Sequence, residues 1–279
     1  MKFASYMLDG QPSFGAAVEG GYVDLRRPGV ATLREALAQR GGLAALAERI
    51  DSPDAEHVAG VTLLPVIPDP AKILCIGLNY ESHRLETGRK VVGHPTVFTR
   101  FADTQVAAGA PIVLPRVSTM LDFEGELAVV IGRGGRYIAE ADALNHVAGY
   151  ACYNDATLRD WQNHSHQFIP GKNFPATGPF GPWLVTPDEV GEIGQQRIVT
   201  RLNGEVVQSA TLGDMIFPIP VLISYLSAFT PLSPGDVICT GTPGGVGFKR
   251  EPQVFMKPGD MVEVEIERVG LLRSPIVEE

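Results

Sequence analysis

Three acidic residues alternate along one strand-like segment of the chain, at Asp122, Glu124 and Glu126. Successive side chains of a strand point to opposite faces, so these three carboxylates share one face. Carboxylates two residues apart on a strand lie about 7 Å apart and repel by roughly 2 kcal/mol at an effective dielectric constant of about 20. The same face continues into Ala128 and Val130, which favours burial at one end. Either solvent covers the face, as is common for strands, or a hard divalent cation binds there through oxygen ligands.

A histidine and a glutamate follow a second strand-like segment, at residues 72–78. If the chain turns helical after that segment, His83 and Glu86 are i and i+3 neighbours on one helix face. A carboxylate beside an imidazole raises its basicity and fixes its tautomer, as a water-activating general base requires. The alternative is an exposed His–Glu pair of little energetic weight.

A third group of polar residues lies where a strand runs into a predicted helix at residues 157–162. Asp155, Arg159 and Gln162 are spaced i, i+4 and i+7, so they share a face. In one interpretation, Asp155 is a helix N-cap and Arg159 is its exposed partner. In the other, Asp155 is a further oxygen ligand, and Arg159 and Gln162 hold an anionic substrate.

Two loops complete the set of candidate residues. Lys172 lies in a loop bounded by proline and glycine, where it is either solvated or offers a point charge to a carboxylate or enolate. The segment from Thr240 to Gly247 lacks the Gly-Lys-Ser/Thr ending of a phosphate-binding loop and opens no helix, which excludes a nucleotide site. Its glycines, including Gly241, let backbone N–H groups approach an anion, with the hydroxyl of Thr242 nearby. The alternative is a simple turn.

The elements that must position these residues indicate a β-rich α+β fold. We predict strands at 72–78, 123–131, 147–153, 198–202, 236–239 and 261–266, and a further helix at 220–229. The first residues predict a small α+β unit, whose helix starts at a capping box from Thr32 to Glu35 and breaks at Gly41 and Gly42. Prolines at 65, 68 and 70 favour an extended connector, so we predict an N-terminal domain at 1–68 and a main domain at 69–279.

Composition narrows the class of protein. The chain has 279 residues, of which 44% are hydrophobic and 20% are charged, enough for a large buried core. A formal net charge of −9 argues against a nucleic-acid partner, since such surfaces need clustered Lys and Arg. No apolar run reaches the ~20 residues of a membrane span and no signal-type segment is found, which predicts a cytoplasmic protein without a membrane partner. Cys75, Cys152 and Cys239 are expected to be reduced core thiols.

Taken together, these segments resemble the fumarylacetoacetate hydrolase (FAH) family in order and spacing, from about residue 70 to the C-terminus. They are similar to its acylpyruvase-like and 2-hydroxyhepta-2,4-diene-1,7-dioate isomerase-like branch. The resemblance rests on IGLNYESHRLE, DFEGELAVVIG, GYACYNDATLRDWQ, GKNF, GPWLVT, LNGEVVQ, DMIF and PGDVICTGTPGGVG. It implies an enzyme with an FAH-type main domain, a mixed β-sheet roll or barrel, which assembles as a homodimer.

The resemblance also implies a role for each candidate residue. Glu124, Glu126 and Asp155 would hold a divalent metal, with Asp122 beside them. A site of carboxylates without thiol or imidazole favours Mg²⁺ first, then Mn²⁺ or Ca²⁺. A lid over the site would carry the water-activating pair. The catalytic residues would be His83, Glu86 and Lys172, and the substrate-binding residues would be Tyr80, Arg159, Gln162, Gly241 and Thr242.

The expected reaction is metal-dependent hydrolysis of the carbon–carbon bond of a 2,4-dioxo acid, of the acylpyruvate or fumarylpyruvate type, through a metal-stabilised pyruvate enolate. The same enolate would serve an oxaloacetate decarboxylase or a dioic-acid isomerase, so both alternatives stay open. Hydrolysis needs a water activated by His83, whereas decarboxylation does not. The alternative from another class is a non-catalytic keto-acid binding protein. A general base on a lid argues against this alternative, because binding alone does not need a base.

Overall fold

Strands dominate the computed structural model, which describes residues 1–90 and 93–279. The strands are β1 Lys2–Leu8, β2 Gln11–Val18, β3 Gly21–Asp24, β4 His57–Val58, β5 Thr62–Leu63, β6 Ile73–Gly77, β7 Thr96–Arg100, β8 Gln105–Val106, β9 Ile112–Leu114, β10 Leu121–Asp122, β11 Gly125–Ile131, β12 Val147–Asn154, β13 Thr157–Leu158, β14 Gly178–Val185, β15 Arg197–Leu202, β16 Glu205–Thr211, β17 Val237–Cys239, β18 Met261–Ile266 and β19 Gly270–Glu278. The α-helices are α1 Leu33–Ala38, α2 Ala47–Ile50, α3 Glu81–Thr87, α4 Arg159–Gln162, α5 Ile169–Lys172, α6 Pro187–Val190 and α7 Ile219–Phe229. Short 3-10 helices lie at Gly42–Leu46, Ala102–Thr104, Glu140–His146, Ile193–Gln195, Leu212–Asp214 and Gly247–Lys249.

A large mixed sheet organises the fold. Its strand order is β4-β3-β2-β1-β14-β12-β11-β17-β6-β7, with β5 paired to β1 and β8 paired to β14. A second sheet has the order β16-β15-β18-β19-β9, and β10 pairs with β13. Most pairs are antiparallel, while β17 with β6, β14 with β8 and β19 with β9 are parallel. The predicted β-rich α+β class is confirmed.

Strand β11 lies inside the large sheet, between β12 and β17. Its residues Ala128 and Val130 pack into one buried apolar cluster, and Leu127 and Val129 pack into another on the opposite face. Burial on both faces explains why the strand is continuously apolar after its acidic start. Any acid at that start is therefore carried into the interior.

The acidic segment is not the single strand that we predicted. β10 ends at Asp122 and pairs with β13, while β11 begins at Gly125. A side chain on Gly125 would clash with Oγ1 of Thr200, so the chain must carry glycine where it passes β15. Glu124 lies in the break between the two strands. The prediction of one continuous strand is thus wrong between Asp122 and Gly125.

The first helix begins at the predicted capping box. The Glu35 backbone N–H donates to Oγ1 of Thr32 at 3.2 Å, and the Glu35 carboxylate accepts the Thr32 backbone N–H at 3.2 Å. The helix stops at Ala38, and Gly41, with a φ of 88°, introduces a separate 3-10 turn. The predicted break at the glycine pair is confirmed.

The N-terminal strands extend the large sheet, since Phe3 of β1 pairs with Leu184 of β14. Leu33 and Leu37 of α1 share a buried cluster with Ala128 of β11, so the interior is continuous across this junction. The division into domains at 1–68 and 69–279 stays a prediction.

Two local predictions need correction. The helix expected over 157–162 begins at Arg159, because Thr157 and Leu158 form β13 against β10. Lys172, expected in a loop, ends the short helix α5 and is buried. Helix α7 and the other predicted strands are found with small differences at their ends.

The cysteines lie in the interior, as predicted. Cys75, Cys152 and Cys239 are free and buried. Within the described part of the chain, no helix combines the length and apolar character that crossing a membrane requires.

Candidate active site

Three carboxylates converge in the interior beside β11. One oxygen from each of Glu124, Glu126 and Asp155 lies within 4.8 Å of the others, and all three side chains are buried. Asp155 directly follows β12, whose residue Asn154 pairs with Gly125 at the start of β11. The backbone N–H of Asp155 also donates to the carbonyl of Glu124 at 2.9 Å. Pairing of β11 with β12 therefore brings together the three acids that the sequence separates.

Lys172 places a positive charge between two of these carboxylates. Its Nζ atom lies 2.6 Å from Oε2 of Glu124 and 2.6 Å from Oδ2 of Asp155. Burial alone would raise the pKa of Glu124, but Lys172 and Arg159 outweigh burial and lower it to about 2. Burial lowers the pKa of Lys172, but Asp155 and Glu124 outweigh it and raise that pKa above its ordinary value. Lys172 is therefore a fixed ammonium ion in this arrangement.

A glycine allows Lys172 to reach the acids. A Cβ atom on Gly171 would lie 2.5 Å from the backbone nitrogen of Gln162, so α5 can pack on α4 only if this residue has no side chain. The Gly-Lys pair in the sequence thus has a packing reason as well as a chemical one.

Glu126 differs from its two neighbours. Burial, together with the charges of Asp155 and Glu124, raises the pKa of Glu126 well above its ordinary range. Its Oε2 accepts the backbone N–H of Gly241 at 2.9 Å. A divalent cation beside Glu126 would offset its repulsion by Asp155 and Glu124. Hard divalent metals prefer oxygen ligands, and carboxylates supply them. The acids present therefore fit a divalent metal.

Arg100, which we did not single out from the sequence, lies behind the acidic cluster. Its Nη1 donates to Oδ1 of Asp155 at 2.7 Å and to the Ala156 carbonyl at 3.1 Å, and its Nη2 donates to Oγ1 of Thr177 at 2.6 Å. These contacts hold Asp155 so that Oδ2 is directed to Lys172. The one signal in the sequence is an arginine at the end of the short strand β7.

Asp122 supports the site without joining the three acids. Its Oδ2 accepts Nε of Arg159 at 2.8 Å and the Phe248 backbone N–H at 3.0 Å, while Oδ1 accepts the Gly247 N–H at 2.8 Å. Nη1 of Arg159 lies 2.6 Å from Oε1 of Glu124. Arg159 is 2% exposed, so the interpretation of Arg159 as an exposed partner of Asp155 is wrong.

His83 and Glu86 form the predicted pair on α3. Nδ1 of His83 lies 2.6 Å from Oε1 of Glu86, and Oε2 of Glu86 accepts the Gly245 backbone N–H at 2.8 Å. The Gly244 N–H donates to Oγ of Ser82 at 3.0 Å, which ties α3 to the glycine-rich segment a second time. His83 is 6% exposed, so the pair is not an exposed one. The contact with Glu86 leaves Nε2 of His83 for a ligand.

A cavity of about 260 Å³ connects these groups. This volume lies just below the range of roughly 300–1,000 Å³ that is typical of ligand sites, which favours a small molecule. Nε2 of Gln208 donates to Oγ1 of Thr242 at 2.7 Å, so the hydroxyl proton of Thr242 can be donated to a ligand. The predicted residues that line the cavity are His83, Glu124, Glu126, Arg159, Gln162, Lys172 and Thr242.

Two predicted substrate-binding residues have other surroundings. Tyr80 is fully buried in the apolar cluster that contains Leu127, and it is not among the described residues that line the cavity, so its role in substrate binding stays a prediction. Gly241 has a φ of 98°, and a Cβ there would lie 2.8 Å from Cβ of Asn79. The backbone N–H of Gly241 donates its hydrogen bond to Glu126, so Gly241 stabilises one acid of the cluster.

Comparison with known proteins gives a consistent family. A family model described as fumarylacetoacetate (FAA) hydrolase C-terminal matches residues 72–277. The chain is 42% identical over 221 residues to a mitochondrial oxaloacetate tautomerase of Xenopus laevis, covering 78% of this chain and 69% of the relative. It is 43% identical over 220 residues to an oxaloacetate tautomerase of Bacillus subtilis, covering 77% and 73%.

Solved structures share the fold over the whole chain. A fumarylacetoacetate hydrolase from Exiguobacterium antarcticum is 33% identical with a TM-score of 0.87, covering 100% of both chains. A maleylpyruvate hydrolase from Sphingobium, solved with manganese(II) and pyruvate, is 26% identical with a TM-score of 0.83, covering 100% of this chain and 99% of that one. The predicted FAH-type fold is confirmed. The chain belongs to the fumarylacetoacetate hydrolase family.

Proposed function

We propose that this protein is a metal-dependent tautomerase of small 2-oxo dicarboxylic acids, with oxaloacetate as the reference substrate. The observation that carries the proposal is a His83–Glu86 pair whose buried imidazole lines the same small cavity as Glu124 and Glu126, two of the three clustered carboxylates. Two relatives above 40% identity are named oxaloacetate tautomerases, which supports this choice. We therefore prefer an isomerase reaction, which was an alternative from the sequence, to hydrolysis of a carbon–carbon bond.

The metal would be held by Glu124, Glu126 and Asp155. We propose Mg²⁺, with Mn²⁺ or Ca²⁺ as substitutes, because the ligands are carboxylates. When bound, the cation supplies Lewis-acid polarisation of a keto oxygen, which acidifies the neighbouring C–H bond. A related hydrolase binds manganese(II) and pyruvate, which supports a divalent ion beside a 2-oxo acid in this family.

The charge of the buried site suits an anionic substrate. With all four acids ionised, as metal binding requires, the described buried side chains around the cavity carry four negative and three positive charges, which gives a net charge of −1. A divalent ion would make the total positive and favour a carboxylate ligand. The acids are Asp122, Glu124, Glu126 and Asp155, and the cations are Arg100, Arg159 and Lys172.

The chain itself moves the proton. Glu86 holds the Nδ1–H tautomer of His83, so Nε2 accepts the proton from C3 of the 2-oxo acid. The C3–H bond breaks, the C2–C3 double bond forms, and the proton passes to the 2-oxo oxygen, so atoms and charge balance. Arg159 and Thr242 lie on the cavity wall, where they can bind the 1-carboxylate.

The test follows the ultraviolet absorbance of enol-oxaloacetate after it is dissolved in buffer. We expect the protein with Mg²⁺ to accelerate the decay of the enol, a chelator to remove the acceleration, and His83→Ala to lose it. Unchanged decay with Mg²⁺ or Mn²⁺ would overturn the proposal.

Hydrolysis of an acylpyruvate is the second candidate function, because the His83–Glu86 pair would equally activate a water. Cleavage of acetylpyruvate, without any effect on enol-oxaloacetate, would establish it in place of tautomerisation. The predicted homodimer and cytoplasmic location are retained as proposals. Sedimentation analysis and fractionation of the source cells test them.

A further inference from the structure

Two cationic side chains line the outer part of the same cavity. Arg89 and Lys249 are exposed, whereas Glu124, Glu126 and Lys172 of the inner wall are buried. We propose that Arg89 and Lys249 form a subsite for the distal carboxylate of a dicarboxylic acid. The inference rests on the proposed function and names the substrate class of that site.

Lys249 is connected to the inner site through one aromatic ring. Cζ of Arg159 lies 4.3 Å from the ring centroid of Phe248, and Nζ of Lys249 lies 5.1 Å from the same centroid. The two cationic centres are therefore no farther apart than the sum of these distances. Because Arg159 also contacts Glu124, the Phe248 ring links Lys249 to an arginine of the carboxylate cluster.

Arg89 is held against the helix that carries the base. Its backbone N–H donates to the Arg84 carbonyl at 3.2 Å, and its own carbonyl accepts Nη1 of Arg84 at 2.6 Å. The guanidinium of Arg84 is also engaged by Glu81, at 2.5 Å and 2.7 Å. These contacts fix the Arg89 backbone just after α3, while Lys249 closely follows the glycine-rich segment, and both residues line the cavity.

The charges of Arg89 and Lys249 are available to a ligand. Within residues 1–90 and 93–279, no acidic side chain forms an ion pair with either of them. A ligand with a second carboxylate would gain charge-assisted hydrogen bonds there, whereas an apolar acyl tail would gain none. The outer cavity thus selects dicarboxylates over acylpyruvates with apolar tails.

The kinetic test uses the Mg²⁺-loaded protein as wild type, Arg89→Gln, Lys249→Gln and the double variant. We expect the double variant to raise KM for enol-oxaloacetate roughly tenfold, as the loss of a charged hydrogen bond predicts, with kcat nearly unchanged. KM for the enol of phenylpyruvate, a monocarboxylate, should not rise. Lys257→Gln removes an exposed lysine that does not line the cavity and is the control. Equal KM changes for both substrates, or none for oxaloacetate, would overturn the subsite.

A binding measurement separates failure of the subsite from failure of the proposed function. Malate and lactate share a 2-hydroxy acid end and differ by the distal carboxylate, and neither needs to react. Calorimetry on the Mg²⁺-loaded wild type should show malate binding roughly tenfold tighter than lactate, and the double variant should lose this preference. If oxaloacetate is not tautomerised but the malate preference holds, the reaction is wrong and the subsite stands. Equal affinity for malate and lactate in the wild type would overturn the subsite itself.

Discussion

Glu124 directly precedes β11 and Glu126 is its second residue, yet the fold moves their pKa values in opposite directions. Glu124 lies 2.6 Å from cationic nitrogens of both Lys172 and Arg159, which lower its pKa to about 2. Glu126 accepts a hydrogen bond from the Gly241 backbone N–H, and burial and the neighbouring acids raise the pKa of Glu126. Glu124 is thus already balanced by the protein, whereas Glu126 gains from an added cation.

Replacing Glu126 with Gln should stabilise the metal-free protein. Because the folded pKa of Glu126 lies above its ordinary 4.5, its contribution to stability is complete below that value and is lost as the pH rises through the folded pKa. Glutamine keeps the shape without the charge, so we expect the free energy of unfolding to increase by about 1–2 kcal/mol at pH 8, a rise in Tm of roughly 2–8 °C. Thermal unfolding in chelator at pH 5 and pH 8 measures this.

The gain from Glu126→Gln should be larger at pH 8 than at pH 5, and the variant should lose the stabilisation by added Mg²⁺. Glu205→Gln, at an exposed position, is the matched control and should change neither. A gain that shrinks as the pH rises would contradict the assignment of a raised pKa to Glu126.

Lys172→Met should make the protein depend on a divalent ion for stability. Removing the ammonium leaves Glu124 and Asp155 without their shared cation, and breaking a buried ion pair in this way costs about 3–5 kcal/mol. We expect Mg²⁺ to raise the Tm of Lys172→Met more than that of the wild type, in thermal unfolding with chelator or with Mg²⁺. Lys257→Met, at an exposed position, is the control. Equal shifts in wild type and Lys172→Met would show that Lys172 does not balance the cluster.

His83→Ala should separate proton transfer from metal binding. His83 lies against Glu86 and is not one of the three clustered acids, so calorimetric Mg²⁺ affinity should stay near that of the wild type. Loss of a general base lowers kcat by roughly 10²–10⁴-fold. Tautomerisation and any acylpyruvate hydrolysis should both fall, while oxaloacetate decarboxylation, which needs no base, should largely remain. His57→Ala, at an exposed position, is the control, and equal loss of all three activities would contradict this role.

Arg100→Lys tests the contacts behind the metal-binding acids. Arg100 is fully buried on its side chain and donates to Asp155, so a lysine, which lacks the planar fork, cannot reproduce both sets of contacts. Contacts of this kind typically change metal affinity by 10–100-fold. We expect the Kd for Mg²⁺, measured by calorimetry, to rise by a factor in that range. The secondary structure, measured by circular dichroism, should stay the same. The exposed Arg40→Lys is the matched control, and wild-type affinity in Arg100→Lys would refute the positioning role.

Residues that are close together in the sequence determined several features of this protein. The capping box of α1 and the His83–Glu86 pair depend on residues within a few positions of one another. Strand and helix periods assign side chains to faces over such short distances, so the sequence alone predicts these features. The resemblance to a known family added the identity of the three converging acids.

Tertiary structure decided which charges meet. Lys172 reaches Glu124 over 48 positions in sequence, Arg100 reaches Asp155 over 55, and the Gly241 amide reaches Glu126 over 115. No local period encodes such distances, because they follow from the order of strands in the large sheet and from the packing of α5 on α4. The sequence by itself therefore determined which groups could do chemistry. The packed interior decided which acid is balanced by the protein and which one calls for a metal ion.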